Sequence, residues 1–474
     1  MAIINSRSPY YASITDANIS YATLDIFIWS GSSATVATEN TTYSLRKSIH
    51  TTETKVSFEI AELIRDDLDV SFNGDYSASA TSDGGAKWVK TIIKAFNSSN
   101  AQVGSTVTET NIAFDGYGYF EEGSSFTMAN DSLFASEGDI FLPKFGDSNI
   151  AIYTGNNPTV LLKDIAGATV DTSTFTSSVN SDEQIKYVSL YPQLITNFGF
   201  DNSLNWAIQS SDVIEDGLLE FGGQNGSRFP TDFTQVQNKN YILKFTITGV
   251  EYGNLSVFSG SSSQSLSGLL NTAGDYVYQY THNSAAANSF SFSTSDNFIG
   301  AMDNVSIKEV YDVSKISVTD DNGTTNANVK QVEECKFKPH KVTFVNKNGV
   351  LDDMYFFKKS TDSMTTKREN YKGNTIKADN TYSINQHNKV DFNITANSMV
   401  KLSSGFLNES SNEKFKQLLL SEKVWITRTF KNSELVLPIN ISTSEISYKT
   451  SLNNKLVEYS IEFNDSYSAI NNIR

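Results

Sequence analysis

The segment from about residue 194 to residue 310 constrains the fold most, because it carries short strands at regular spacing. Residues 241–247, 254–258 and 275–280 largely alternate apolar and polar side chains, and polar or glycine-containing turns separate them. Strands that recur every ~8–12 residues with such turns are typical of a β-sandwich or jelly roll. The sequence therefore predicts a complete small β-sandwich, here called the cassette, in the middle of the chain.

The flanks of the cassette are strand-rich as well. Aromatic residues make up 12% of the 474 residues and charged residues only 19%, a composition that favours β-structure. We predict a mostly β protein of multidomain β-sandwiches with a jelly-roll insertion and a few short helices. The predicted units are a scaffold domain at 1–110, a second scaffold segment at 111–193, the cassette at 194–310, and a C-terminal domain at 311–474 that completes the scaffold.

Two helices and one hairpin are the clearest local signals in the flanks. Apolar residues at helical spacing predict a short helix over 59–67. Ser410 and Glu413 have the spacing of a capping box, and Phe415, Leu418 and Leu419 after them form one apolar helical face. Together they predict a helix over 411–421. Asn348-Gly349 between two strand-like runs predicts a tight hairpin.

Net charge, hydropathy, the first residues and cysteine content limit the partners and the cellular location that we expect. The net charge is −16, whereas a duplex-binding surface needs basic patches that neutralise phosphates. No run approaches the ~18 apolar residues of a membrane span, and the first residues do not resemble a signal peptide. The single cysteine, Cys335, indicates folding in a reducing cytoplasm. We expect no nucleic-acid partner, no membrane insertion and no N-terminal secretion signal.

Three elements of the cassette share a recognisable pattern. They are the opening residues 197–200 with Trp206, the central strand 241–245, and the closing run 302–307 with its Asp-Asn-Val-Ser. Together they resemble the carbohydrate-binding jelly-roll modules of the family 4/9 type. The resemblance implies glycan binding and, as in several such modules, a structural calcium; no other cofactor is required.

Aromatic faces stack on pyranose rings, so the glycan-binding candidates in the cassette are Phe229, Phe233, Tyr252 and Tyr278. For each of them, packing in the core or in a turn is the alternative. Asp303 is the candidate calcium ligand, with a turn or capping role as its alternative. The cassette as a whole could also be a spacer or a structural decoration.

The flanks carry a second pattern in residues 5–11, 58–65, 340–351, 355–359, 418–425 and 437–439. These stretches resemble tail or virion structural proteins of tailed bacteriophages that infect Bacteroidetes-type hosts. The resemblance implies a virion location after assembly in the host cytoplasm, in the tail, baseplate or neck. Its partners would be other virion proteins, further copies of the chain and host surface polysaccharide. The basic run Lys358–Lys372 would contact a neighbouring copy's acidic surface or form a solvated loop.

Signatures of catalysis are missing from the sequence. The four histidines are dispersed without metal-ligand spacing, and no nucleophile elbow, phosphate loop or dinucleotide fingerprint occurs. The adjacent carboxylates Asp352-Asp353 and Glu121-Glu122 are interpreted as solvated loops rather than a glycosidase pair. We predict that the chain is not an enzyme. A bacterial surface adhesin or glycan-binding accessory protein, and a polysaccharide depolymerase, stay open as alternatives.

Overall fold

The computed structural model describes residues 3–30, 41–50, 52–76, 85–123, 132–175, 185–191, 193–195, 199–201, 205–260, 264–285, 289–334, 336–430, 433–447 and 456–470. Cys335 and residues 196–198 of the cassette opening lie outside the described residues.

The N-terminal part of the chain folds around a core of its own. Its main sheet has the strand order β1-β7-β6-β3-β4, and β2 pairs with β5 beside it. The helix α1 buries Ile64 in this core, which confirms the helix predicted over 59–67, although it is shorter. The elements are β1 (Ile3–Asn5), β2 (Tyr11–Thr15), β3 (Tyr21–Trp29), β4 (Tyr43–Ser48), β5 (Lys55–Glu59), α1 (Ala61–Arg65), β6 (Ala86–Phe96) and β7 (Gln102–Phe114).

Five short strands follow before the cassette, and the last of them, β12, pairs with β9. They are β8 (Ile140–Pro143), β9 (Asn149–Tyr153), β10 (Thr159–Asp164), β11 (Thr169–Thr174) and β12 (Ile185–Ser189). The cassette then contributes β13 (Trp206–Ala207), β14 (Val213–Glu215), β15 (Leu218–Gly222), β16 (Gly226–Pro230), β17 (Asn240–Ser259), β18 (Gln264–Ser265), β19 (Gly274–Thr281) and β20 (Phe290–Glu309).

After the cassette the chain forms a seven-stranded sheet with the order β24-β23-β28-β29-β31-β26-β25. Within the described ranges, no helix is long and apolar enough to cross a membrane. The elements are β21 (Val313–Asp320), β22 (Gly323–Val332), β23 (His340–Val345), β24 (Leu351–Phe356), β25 (Thr361–Lys372), β26 (Lys389–Ser403), β27 (Leu407–Asn408), α2 (Asn412–Leu420), β28 (Val424–Phe430), β29 (Ser433–Ile441), β30 (Leu456–Val457) and β31 (Ser460–Ser468).

The chain on the two sides of the cassette builds one scaffold. β21 pairs with β10, and β22 pairs in parallel with β8, so one sheet has the order β11-β10-β21-β22-β8. A single hydrophobic core runs from Ile140 to Phe463, whereas the cassette encloses a separate core between Ile195 and Ile307. The mostly β, multidomain prediction with few short helices is confirmed.

The local predictions in the C-terminal part have mixed outcomes. The hairpin at Asn348-Gly349 is confirmed between β23 and β24, and α2 confirms the helix over 411–421. The capping box is wrong, because the helix begins after Ser411 and no side-chain cap hydrogen bond forms. Glu413 instead accepts hydrogen bonds from Tyr119 Oη (2.5 Å) and from the Gln417 amide (3.0 Å).

Candidate functional site

Two strands of 20 residues each, β17 and β20, build the cassette. They are antiparallel neighbours along most of their length, and four register shifts interrupt the pairing between Lys244 and Asn254. Such bulges bend strands. Gly253 lies in the bend with a φ of +80°, where a Cβ would stand 2.5 Å from Phe298 Cα. The bend folds one continuous sheet into the two layers of a sandwich.

We call these two layers the proximal sheet and the distal sheet. The proximal sheet comprises β19, β17 up to Ile247 and β20 from Met302. The distal sheet comprises β13, β16, β18, β17 from Asn254 and β20 up to Ser295. The inner sides of both sheets enclose the cassette core.

The outer side of the proximal sheet packs on the scaffold. Ile242 is 2% exposed and belongs to the scaffold core. Lys244 Nζ lies 2.9 Å from a carboxylate oxygen of Glu434, and Lys308 Nζ lies 2.9 Å from one of Asp147. Because the two sheets lie on opposite sides of the cassette core, the outer side of the distal sheet points away from the scaffold.

Two phenylalanine rings stand on this outward side. Phe258 is in register with Ser291. Phe229 follows Arg228, which is in register with Phe292 and points inward. Since side chains alternate along a strand, Phe229 and Ser291 both point outward. The strands that carry the two rings, β16 and β17, are two strand spacings apart, about 10 Å, and Phe229 is 39% exposed.

A row of serine hydroxyls runs beside the two rings. Ser227, Ser293 and Ser256 are in register across β16, β20 and β17, and each is partly exposed. A hydroxyl both donates and accepts hydrogen bonds, whereas the rings offer apolar faces. This surface, Phe229 and Phe258 with the three serines, is called the distal face below. It suits a sugar, which presents apolar C–H faces and a rim of hydroxyls.

The structure separates the four aromatic candidates. Phe229 lies on the distal face. Tyr252 is 62% exposed, but it lies at the bend, where its cross-strand neighbour is Ile299. Phe258 was missed by the sequence reasoning. One feature of the sequence could have revealed it. The apolar Phe258 follows the apolar, buried Val257, whereas strict alternation would place a polar residue at this outward position.

The other two aromatic candidates, Phe233 and Tyr278, pack against the cassette core. The Phe233 ring centroid is 5.9 Å from that of Tyr241, and the Tyr278 centroid is 6.1 Å from that of Phe245. Both rings are partly buried against the cassette core. These contacts favour the alternative role in core packing for the two residues, and glycan binding by them stays a prediction.

Asp303 lies within strand β20, beside the bulge between its pairing with Thr246 and that of Ser306 with Lys244. Its Oδ1 accepts a hydrogen bond from the backbone N–H of Asn304 at 2.6 Å, and Asn304 has a φ of +54°. This contact fits the turn role. In the described part of the chain, no three His, Cys, Asp or Glu side chains gather as a metal-binding group. Calcium at Asp303 stays a prediction.

A buried ion pair holds β16 in place beneath the distal face. Arg228 and Asp212 have fully buried side chains. Arg228 Nε and Nη2 donate to the two carboxylate oxygens of Asp212, each at 2.7 Å. Arg228 also donates to Thr294 Oγ1 and to the carbonyl oxygens of Gln224 and Gly226. All five guanidinium N–H groups therefore have an acceptor.

A serine and a histidine meet inside the cassette. Ser259 Oγ lies 2.8 Å from His282 Nδ1, and both residues are 0% exposed. Gln235 joins them, since its Oε1 accepts from Ser259 Oγ and its Nε2 donates to Tyr280 Oη. Burial closes the hydroxyl to a substrate in this arrangement, so the network serves the packing of the cassette.

A cavity of about 730 Å³ lies between the proximal sheet and the scaffold. Phe72 and Tyr76 contribute aromatic walls, and Asp147, Lys244 and Glu434 contribute charges. The charges of Lys244, Glu434 and Asp147 are held in the ion pairs described above. We interpret the cavity as the seam between cassette and scaffold.

Three lysines stabilise the ionised form of Asp147 at this seam. Burial alone would raise the pKa of Asp147, but the ammonium groups of Lys308, Lys341 and Lys244 lower it from 3.8 to about 2. A carboxyl with a lowered folded-state pKa contributes stability above its unfolded pKa and loses it as the pH falls through the folded pKa.

Asp147→Asn is expected to lower the free energy of unfolding by roughly 2 kcal/mol at pH 6. The difference from the wild type should shrink as the pH falls from about 4 to about 2, where Asp147 becomes protonated. Denaturant unfolding at several pH values measures it. Asp69→Asn, at an 82% exposed side chain paired with Lys423, is the control and should have little effect. A deficit that is independent of pH would contradict this account.

The two pairs of adjacent carboxylates differ in solvent exposure. Glu121 and Glu122 lie in an exposed turn, as expected. The solvated-loop interpretation is wrong for Asp352 and Asp353, which are 6% and 3% exposed within β24. They point to opposite sides of that strand, and Asp352 pairs with Lys414 at 2.8 Å. The sequence pattern did not indicate that these two carboxylates lie on a buried strand and point to opposite sides of it.

Comparisons with known proteins add little. No family model and no curated protein matches the chain. One solved structure with some similarity is SGBP-B of the Bacteroides ovatus mixed-linkage glucan utilization locus, in complex with a mixed-linkage heptasaccharide. It is 12% identical, with a TM-score of 0.15, over 65% of this chain and 94% of that one. Another is E. coli alpha-2-macroglobulin, 8% identical, with a TM-score of 0.16, over 97% of this chain and 39% of that one. Both TM-scores are too low to indicate a shared fold, so neither carries a functional argument.

Proposed function

We propose that the chain is a structural protein of a tailed-phage virion, in the tail, baseplate or neck, and that its cassette binds host surface glycan through the distal face. The resemblance of the flanks to phage virion proteins supports the first part. The second part rests on one observation, the pair of outward rings Phe229 and Phe258 beside a row of serine hydroxyls on the side turned away from the scaffold.

The geometry sets the size of the ligand. Two rings on strands about 10 Å apart suit a short oligosaccharide segment that lies across β16, β20 and β17. The apolar sides of the sugar rings would pack on the phenylalanines, and the hydroxyls would bind Ser227, Ser256 and Ser293. A single open face of this kind binds weakly, and many copies on one particle would sum to useful attachment.

Phe229→Ala in the full-length chain is expected to weaken glycan binding about tenfold, the equivalent of one ring contact of order 1 kcal/mol. A glycan array finds the ligand, and titration calorimetry then measures the affinity, with and without calcium. Phe258→Ala should have a similar effect. Tyr252→Ala is the matched control, because this exposed ring lies at the bend and not on the distal face.

Each result has a consequence. Binding that is lost in Tyr252→Ala and kept in Phe229→Ala would move the site to the bend. A folded wild-type chain that binds no glycan would remove the glycan part of the proposal. Mass spectrometry of purified phage particles tests the virion part independently, and absence of the chain from them would overturn it.

A further inference from the structure

Strands β25 and β26 extend beyond the seven-stranded sheet as a two-stranded ribbon. Among the described residues, β26 pairs with β31 from Asn397 to Ser403, and the Ala469 N–H donates to the Ala396 carbonyl oxygen. The part of the ribbon before Ala396 therefore has no neighbour strand in the described part of the sheet. All twelve residues of β25 are exposed. We call residues 364–396, which include the connection between the two strands, the arm.

The arm carries much of the exposed apolar surface of the chain. Among the described residues, 21 large hydrophobic side chains are exposed, and seven of them fall in these 33 positions. Clustered exposed apolar side chains mark interaction sites more often than scattered ones do. The seven are Met364, Tyr371, Ile376, Tyr382, Ile384, Phe392 and Ile394, each at least 40% exposed.

Each side of the ribbon carries exposed apolar side chains. Tyr371 and Phe392 share one side, with ring centroids 5.7 Å apart. Met364 and Ile394 lie on the other side by alternation, ahead of a bulge at Asn393, which has a φ of +47°. An isolated two-stranded ribbon is at best marginally stable in water. A ribbon with apolar residues on both sides and no covering layer therefore needs a partner.

The charge of the arm favours an acidic partner. The arm has five basic and three acidic residues, a net charge of +2. The rest of the chain has 37 − 5 = 32 basic and 53 − 3 = 50 acidic residues, a net charge of −18. The body of the same chain therefore attracts the arm, whereas two bodies repel each other. β25 is also the outermost strand of its sheet, and its free backbone groups can pair with another strand.

We propose that the arm docks on the acidic body of a second copy of this chain. Tyr371 and Phe392 on one side, and Met364 and Ile394 on the other, become buried in that contact, and Lys367, Lys372, Lys377 and Lys389 meet its carboxylates, whereas Arg368 pairs with Asp391 inside the arm. This contact is independent of glycan binding, since the distal face and the arm lie in different parts of the fold.

The oligomeric state of the full-length chain tests the proposal. Sedimentation equilibrium should show a wild-type assembly, and the double variant Tyr371→Ser with Phe392→Ser should raise its dissociation constant at least about tenfold, since aromatic residues dominate such contacts. High salt should weaken the wild-type assembly in the same direction. The control is Ile165→Ser, which removes a 90% exposed apolar side chain outside the arm and should leave the assembly unchanged.

Zero-length cross-linking of mixed heavy-isotope and light copies identifies what the arm contacts. Cross-links between arm lysines of one copy and carboxylates of the other are expected, and they should disappear in the double variant. Three results would overturn the proposal: a wild-type chain that is monomeric at all concentrations, an assembly that the double variant leaves intact, or arm cross-links confined to one copy. The first and third would mean that the arm folds back or serves a different partner.

Discussion

Replacing Arg228 with methionine is expected to lower the free energy of unfolding of the cassette by about 3–5 kcal/mol. The change leaves the carboxylate of Asp212 buried and without its cation, since both side chains are fully buried. It also removes one donor from each of the carbonyl oxygens of Gln224 and Gly226, which accept from the guanidinium at 2.8 Å and keep the Thr294 hydroxyl as a donor nearby. An unpaired buried charge costs far more than the pair contributes, so the loss should be large.

Hydrogen exchange measures this effect, because the slowest amides of β16, β17 and β20 report the opening free energy of the cassette. Lys239→Met is the control in the same module, as Lys239 is 52% exposed and pairs with Glu309 at 3.0 Å; it should cost about 0–1 kcal/mol. The double variant Arg228→Met with Asp212→Leu should recover part of the loss. Equal effects of Arg228→Met and Lys239→Met would refute the argument.

The local patterns of the chain predicted its fold well. Alternation located the strands of the cassette, and helical spacing located α1 and α2. These signals succeed because each depends on neighbours a few residues apart, where the period of the backbone decides which side chains share a side. The insertion of the cassette between β12 and β21 also agrees with the strand-rich character of both flanks.

The candidate site was predicted less well, because its geometry comes from distant pairings. Phe229 and Phe258 share a side only through β20, with which β16 and β17 both pair. Phe233 and Tyr278 have the same residue types but meet core rings, which sequence cannot distinguish from an open ring. Residue type is enough to identify aromatic candidates. Whether the face of such a ring is accessible depends on the register of three strands.

Long-range polar contacts also explain why Asp352 and Asp353 were wrongly predicted to lie in a solvated loop. Asp353 accepts hydrogen bonds from Thr343 Oγ1 at 2.8 Å and from Tyr76 Oη, and its partner Lys341 lies at 3.0 Å. Tyr76 is 277 positions away in sequence, so no local pattern could report the contact. Asp353 therefore joins the segment 71–76 of the N-terminal part to the seven-stranded sheet.

Asp353→Asn is expected to lower the free energy of unfolding of the scaffold by about 3 kcal/mol. The asparagine keeps the shape but removes the negative charge, which leaves the partly buried ammonium of Lys341 without its ion-pair partner and with only the more distant charge of Asp147 and the Tyr76 ring nearby. The side chain of Lys341 is 15% exposed, so it can relax toward the seam cavity, and the loss should fall at the lower end of the range for broken buried pairs. Denaturant unfolding at neutral pH measures it.

Hydrogen exchange then shows where the loss acts. Residues 71–76 and strand β23 should lose protection in Asp353→Asn, because Tyr76 and Thr343 lose their charged acceptor. The distal-sheet parts of β17 and β20 should keep theirs, since they line the separate core of the cassette and face away from the scaffold. Glu462→Gln is the control, at a carboxylate that is 41% exposed and pairs with Lys401 at 2.9 Å. If Asp353→Asn is no more destabilising than Glu462→Gln, the buried carboxylate does not hold the N-terminal segment to the sheet. A loss spread evenly over cassette and scaffold would instead mean that the two cores unfold as one unit.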